Sequence, residues 1–145
     1  MMRILPVLIL ALFAVGGTAL AQGNAIKARQ ELMKKNGEAS KLGLQMIKGE
    51  KPYDAAAAAE AMNSIATSMT EFVKLFPEGT TGKDTDAKPE IWQNKADFDS
   101  WATKLKQDGA KAATAAKSGV DGFKGAFAVV GQSCQGCHEK YRIDR

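Results

Sequence analysis

The amino-acid sequence predicts an all-α protein, an antiparallel up-down-up-down bundle of four helices. Apolar residues recur at intervals of three and four along several long stretches. No segment alternates with a period of two for long enough to form a strand. Short connections after the first and third helices favour antiparallel neighbours.

The first two predicted helices run from about Asn24 to Lys48 and from about Asp54 to Phe76, and Asp54 is a favourable N-cap. The second helix has the clearer periodicity, with an unbroken apolar row: Ala55, Ala58, Met62, Ile65, Met69, Phe72 and Phe76. The first helix has a sparser row: Ile26, Met33, Leu44 and Ile47. A polar loop of about 14 residues without periodicity follows the second helix.

The last two predicted helices run from about Gln93 or Asp97 to Lys117 and from about Val120 to Tyr141. The fourth repeats the steps of three and four at Val120, Phe123, Phe127, Val130, Cys134, Cys137 and Tyr141. The third starts such a row, but Gly109 and a run of alanines weaken it.

The N-terminal segment predicts a secretory signal peptide over residues 1–21. Arg3 supplies a positive charge, Leu5 to Val15 form an apolar run, and Ala19-Leu20-Ala21 is a small-x-small cleavage signal. The run is roughly half of the ~20 residues that a transmembrane helix needs. We therefore expect a single mature domain over residues 22–145, located in the periplasm and without stable membrane insertion. An uncleaved N-terminal anchor is the alternative.

The charge of the chain argues against nucleic acid as a partner. The formal net charge is +4, and the basic residues are spread along the sequence. Proteins that bind nucleic acid carry a clustered basic stripe, which is missing from this sequence.

The two cysteines and the single histidine of the chain lie together in the motif Cys134-Gln135-Gly136-Cys137-His138. C-x-x-C-H is the attachment signature of c-type haem, in which each thiol adds to a haem vinyl group and the histidine ligates the iron. On a helix, positions i and i+3 share a face and i+4 lies beside them. The motif predicts one covalent haem c, anchored at Cys134 and Cys137, with His138 as the proximal iron ligand.

Three other interpretations of the motif compete with haem. A zinc site needs four nitrogen or sulfur ligands, and the chain has only three such residues. A thioredoxin-like redox pair needs a βαβ context, and no strand is predicted. A structural disulfide leaves the adjacent His138 without a role, and a domain of this length can bury an adequate core without one.

The sixth iron ligand decides the function, and a second histidine is not available. A methionine, a lysine or no ligand are the candidates. At a rise of about 1.5 Å per residue, His138, Met33 and Met69 lie roughly 10–13 Å from the same end of the bundle. Met62 lies roughly 21 Å and Met46 roughly 33 Å from that end. Spacing therefore leaves Met33, Met69 and an absent sixth ligand open.

The whole mature chain resembles the class II cytochromes c, a family that includes cytochrome c′ and the low-spin cytochromes c-556. The segments that carry this resemblance are the C-terminal motif continuing as CHEKYR, GEKPYDAAA at Gly49 to Ala57, Pro89 to Trp92, and RQELMKKNG at Arg29 to Gly37. The resemblance implies a four-helix bundle with the haem near one end. It also implies that Met33 ligates the iron and that Met69 is a core residue, because Met33 stands where cytochromes c′ carry an apolar residue and cytochromes c-556 carry the ligating methionine.

The resemblance also implies that Arg29 lies near a haem propionate and that Arg142 lies near the proximal face of the haem. For each, a solvated surface arginine is the alternative. Family members occur as dimers through the first two helices or as monomers, so both a monomer and a homodimer remain open.

The leading functional hypothesis is an electron carrier, not an enzyme, which exchanges electrons with periplasmic redox proteins through a His/Met-ligated low-spin iron. The alternative is a five-coordinate cytochrome c′ that binds nitric oxide or carbon monoxide, which requires the distal face to be free of a thioether. A third hypothesis is a thiol or interaction protein without haem.

Overall fold

A computed structural model describes the backbone of residues 16–144 and the side chains from residue 21 onward. It has five helices, which are α1 (Gly16–Ile47), α2 (Ala55–Phe72), α3 (Glu90–Gln93), α4 (Lys95–Ala115) and α5 (Val120–Tyr141). The four long helices pack in sequence, and α1 also contacts α5. Within residues 16–144, extended pairing is limited to one isolated bridge between Ala87 and Arg142. The predicted all-α four-helix bundle is confirmed, with the short α3 as an addition.

Two helix ends differ from the prediction by more than two residues. α1 begins at Gly16, before the predicted start at Asn24, so the predicted cleavage point after Ala21 lies within the helix. The apolar run of the predicted signal peptide lies outside the described residues, and the signal peptide stays a prediction. α2 ends at Phe72, and the chain tightens into a 3₁₀ turn at Val73–Leu75 before reaching the predicted end at Phe76. None of the helices in the described part of the chain is long and apolar enough to cross a bilayer.

Local chemistry accounts for two of the helix boundaries. The Asp54 carboxylate accepts hydrogen bonds from the backbone N–H groups of Ala56 and Ala57, at 2.9 and 3.0 Å, as predicted for an N-cap. Between α4 and α5, Gly119 has a φ of 91°, a left-handed conformation that disfavours residues with a Cβ. The tight turn after Ser118 therefore requires this glycine.

The core between α2 and α4 combines large and small side chains. Met62, Ile65 and Met69 of the predicted α2 row are buried. Gly109 of α4 allows a close approach, because a Cβ on it would lie 3.1 Å from the Cβ of Ala66. The glycine and alanines that weaken the apolar row of α4 are thus the residues that let the two helices pack tightly. The predicted row of α1 is wrong at Leu44, which is 40% exposed.

The polar loop before α3 is tied to the C-terminal end of α5. The Lys88 backbone N–H donates to the Tyr141 carbonyl at 2.9 Å, and the Ile143 N–H donates to the Asp86 carbonyl at 2.7 Å. Phe76, Ile91, Phe98 and Tyr141 form a second apolar cluster beneath this loop. The loop and cluster border the end of the bundle that holds the candidate site.

Candidate haem site

A cavity of about 560 Å³ opens between the long helices, near the end of the bundle where α2 and α5 end. Its volume lies within the range of roughly 300–1,000 Å³ that is usual for ligand and cofactor sites. Much of its wall is apolar, including Ile65, Phe72, Phe98, Trp101, Ala102 and Leu105. It is also lined by every residue predicted to hold the haem: Arg29, Met33, Cys134, Cys137, His138 and Arg142.

α5 presents the C-x-x-C-H motif to this cavity. Cys134 and Cys137 are half-buried with free thiols, one helical turn apart. Burial raises the pKa of both thiols, and the charges of Cys134 and Asp97 add to the effect at Cys137, whose pKa is about 11. His138 lies at the rim, where partial burial and the charge of Arg142 lower the pKa of its imidazole. The neutral imidazole is the form that ligates a metal.

Trp101 of α4 packs directly on the backbone between the two cysteines. A Cβ on Gly136 would lie 2.5 Å from Cη2 and 2.8 Å from Cζ3 of the Trp101 ring. Any larger residue at this position would displace the indole. Gly136 therefore allows the cysteine-bearing turn of α5 to lie against an aromatic wall of the cavity.

Two of the four methionines in residues 22–145 line the cavity. Met33 is a partly buried residue of α1, and Met69 is a residue of α2 that is 3% exposed. Met46 and Met62 belong to the buried core of the bundle and do not line the cavity, whereas Met69 belongs to both the core and the cavity wall. The two methionines of the cavity wall are thus the pair that spacing places at the height of His138.

Arg29 is not a surface residue, since it is only 4% exposed. Its Nη2 donates to the Thr80 carbonyl at 2.6 Å and to Thr85 Oγ1 at 2.7 Å, while Nη1 donates to Thr80 Oγ1 at 3.0 Å. The guanidinium also stacks over the Phe76 ring, 4.7 Å from its centroid, and burial lowers its pKa. Among residues 21–144, no carboxylate forms an ion pair with it. A buried cation in the cavity wall, held only by neutral groups, suits an anionic ligand group.

Arg142 follows the last residue of α5 and is exposed. Its backbone N–H donates to the His138 carbonyl at 2.9 Å, and its backbone pairs with Ala87 of the loop. The structure therefore places Arg142 next to His138, at the rim of the cavity.

Sequence reasoning missed a polar group behind the motif. Asp97, in the first turn of α4, accepts hydrogen bonds from the Tyr141 hydroxyl at 2.5 Å and from Lys140 Nζ at 2.7 Å. Tyr141 is 3% exposed, and burial together with its bond to Asp97 raises its pKa to about 12. The only available signal was Tyr141 itself, a residue with a hydroxyl in the apolar row of α5.

Comparison with known proteins gives one consistent answer. The family model described as Cytochrome C′ matches residues 24–142. A cytochrome c′ of Rhodopseudomonas palustris is 36% identical, over 89% of this chain and 88% of its own. A cytochrome c-556 of the same organism is also 36% identical, over 91% of each chain.

A solved structure of cytochrome c prime from Shewanella frigidimarina superposes with a TM-score of 0.78 at 37% identity, covering 85% of this chain and 97% of that one. The fold, the cavity and these matches agree. This chain belongs to the cytochrome c′ family of class II cytochromes c, and it is accordingly a haem protein that carries iron in a covalently attached haem c.

Proposed function

We propose that this protein is a periplasmic electron carrier whose haem iron is ligated by His138 on one side and Met33 on the other. The observation that carries the proposal is that one cavity is lined by the Cys134, Cys137 and His138 face of α5 and by Met33 of α1. A His/Met pair is the ligand set of electron-transferring cytochromes c.

The residues of the cavity fit a haem in three respects. Cys134 and Cys137 are free and share a helix face, as two thioether anchors require. The walls are largely apolar, as the porphyrin requires. Arg29 supplies a buried positive charge without a carboxylate partner in the described residues, which suits a propionate.

The proposal assigns a separate task to each residue. The bound haem supplies a one-electron redox couple. Cys134 and Cys137 would hold it covalently, and His138 and Met33 would ligate its iron. With both of these ligands supplied by the protein, little would have to rearrange when the electron arrives or leaves. We place Arg29 at a propionate and Arg142 near the proximal face.

The alternative is a five-coordinate iron that binds nitric oxide or carbon monoxide. The two relatives from Rhodopseudomonas palustris, one a cytochrome c′ and one a cytochrome c-556, are equally identical to this chain, so relatedness favours neither function. Met33 in the cavity wall favours the electron carrier, because a thioether bound to the iron would compete with a gas molecule for the same site.

Optical spectra of the oxidised and reduced holoprotein test the sixth ligand. We expect low-spin spectra in both states and no reaction of the reduced protein with carbon monoxide. Met33→Leu should give a high-spin ferrous form that binds carbon monoxide readily. Met69→Leu, the matched change at the other methionine of the cavity, should keep the spectra unchanged. A high-spin, carbon monoxide-binding wild-type protein would instead favour gas binding.

Export to the periplasm has its own test. We expect the protein recovered from the periplasmic fraction to carry covalent haem and to begin near Gln22. N-terminal sequencing and intact mass measurement check both points. Retention of residues 1–21 on a membrane-associated protein would favour the uncleaved anchor.

A further inference from the structure

We propose that Asp97 and Lys140 form a charge pair that sets the reduction potential of the haem, with the Asp97 carboxylate holding the potential low. The inference rests on the proposed electron-transfer function and deepens it. It assigns a role to a polar group that neither binds the haem nor ligates the iron.

The Asp97 carboxylate is held one side chain away from the haem cavity. Its Oδ2 accepts a hydrogen bond from the Tyr141 hydroxyl at 2.5 Å, and Tyr141 lines the cavity together with Cys137. Tyr141 is 3% exposed and packs edge-to-face on Phe98 with ring centroids 5.3 Å apart, so the phenol has little freedom to move. The buried phenol therefore fixes the position of the carboxylate relative to the cavity.

The carboxylate is ionised at neutral pH. Hydrogen bonds from Lys140 and Tyr141, together with the Lys140 charge, hold the pKa of Asp97 below its usual value.

The sign of the effect follows from the charge of the iron. Ferric haem carries one more positive charge than ferrous haem, so a nearby negative charge favours the ferric state and lowers the reduction potential. Lys140 has the opposite effect, and the two side chains are similarly exposed, 50% for Lys140 and 44% for Asp97. Asp97 is the one of the two that is hydrogen-bonded to the buried phenol of Tyr141, which lines the cavity. We therefore expect the carboxylate to have the stronger effect on the iron.

The experiment measures the reduction potential of the holoprotein by redox titration at low and at high salt. Asp97→Asn should shift the ferric–ferrous equilibrium about three- to tenfold toward the ferrous form, which raises the potential by up to about 59 mV. Lys140→Gln should lower the potential by a smaller amount, and high salt should reduce both shifts, because both side chains are partly exposed. The control is Glu50→Gln, which breaks the exposed Lys48–Glu50 pair. This pair follows the C-terminal end of α1, so the substitution should leave the reduction potential unchanged.

Shifts in opposite directions for the Asp97 and Lys140 variants would support the inference. Shifts in one direction, or shifts equal to that of Glu50→Gln, would overturn it. If Asp97→Asn does not yield folded holoprotein, Lys140→Gln decides alone, because it changes an exposed side chain. The optical spectrum separates the two proposals. A low-spin protein that lacks these potential shifts would contradict only the charge-pair inference. A high-spin protein that shows the shifts would contradict only the ligation of the iron by Met33.

Discussion

Gly136 is a position in the site where there is no space for a side chain. A Cβ there would come within 3.0 Å of two atoms of the Trp101 ring, closer than such atoms pack. The indole is partly buried and lines the cavity, so its displacement would disturb the wall against which the cysteine-bearing turn lies. A glycine between the two cysteines is therefore a packing requirement of this fold and not only a spacer in the motif.

Gly136→Ala is expected to destabilise the holoprotein by about 1–3 kcal/mol, the usual effect of overpacking. Gly131→Ala is a matched control on the same helix, because nothing lies within 4 Å of its would-be Cβ. The control should stabilise the protein by about 0.5–1 kcal/mol through helix propensity. Urea denaturation of both variants measures the two changes. Equal changes in stability at the two glycines would contradict this prediction, because they would show that the Trp101 ring can move aside without destabilising the protein.

At the scale of helices, α4 and α5 are joined by a polar cluster inside their contact. Asp108, which is 7% exposed, accepts hydrogen bonds from Lys104 Nζ at 2.6 Å and from Ser133 Oγ at 2.7 Å. Lys104 Nζ also donates to Ser133 Oγ at 2.9 Å. Ser133 directly precedes Cys134, so the cluster holds the haem-binding end of α5 in register with α4.

The Asp108 cluster gives stability that depends on pH. Burial alone would raise the pKa of Asp108, but the hydrogen bonds from Lys104 and Ser133 and the Lys104 charge outweigh it, and the pKa is lowered. In the unfolded chain this carboxyl takes up its proton at a higher pH than in the folded protein. The stabilisation is therefore present above the ordinary pKa of aspartate, near 4, and is lost as the pH falls through the folded value.

Asp108→Asn should destabilise the protein by about 1–3 kcal/mol at pH 7. The difference between wild type and variant should shrink as the pH falls below about 4. Ser133→Ala keeps the carboxylate and Lys104, so it should show a smaller dependence on pH. Denaturation between pH 7 and pH 3 measures these differences, and a difference that stays constant would contradict the assigned role of the charge.

Features that depend on residues close together in the sequence were predictable, and those that depend on distant residues were not. The row of α2 was predictable because buried Met62, Ile65 and Met69 follow the helical period. The hydrogen-bond partners of Arg29 were not, because Thr80 and Thr85 lie 51 and 56 residues away in a loop without periodicity. Such partners depend on how elements dock, which single-sequence periodicity does not report.

Gly109 shows that helix propensity, like periodicity, does not report contacts between helices. In the sequence it weakens a predicted helix, because glycine is a poor helix former. In the structure it lies against Ala66 of α2, where its small size lets α2 and α4 pack closely. A propensity scale describes one helix at a time, whereas this glycine serves a contact between two.

At the scale of the molecule, the haem cavity is part of the core. The apolar side chains that line it include Ile65, Met69 and Leu105, which also belong to the main buried cluster. The space of about 560 Å³ opens to solvent, so without the haem these apolar side chains would be exposed to water. The bundle should therefore depend on its haem for stability as well as for function.

A full-length variant with Cys134→Ala and Cys137→Ala should lose its covalent haem and unfold at a lower temperature than the holoprotein. The bound group fills the cavity only in the folded state, so losing it should remove at least about 3 kcal/mol, or about 10 °C in Tm. Gln135→Ala is the control, because it changes an exposed residue of the same motif and keeps both thiols. Circular dichroism against temperature measures Tm, and hydrogen exchange should show the largest loss of protection in α1 and α5. If the haem-free chain unfolded at the temperature of the holoprotein, the cavity would have to close by itself, and the bundle would not depend on its cofactor.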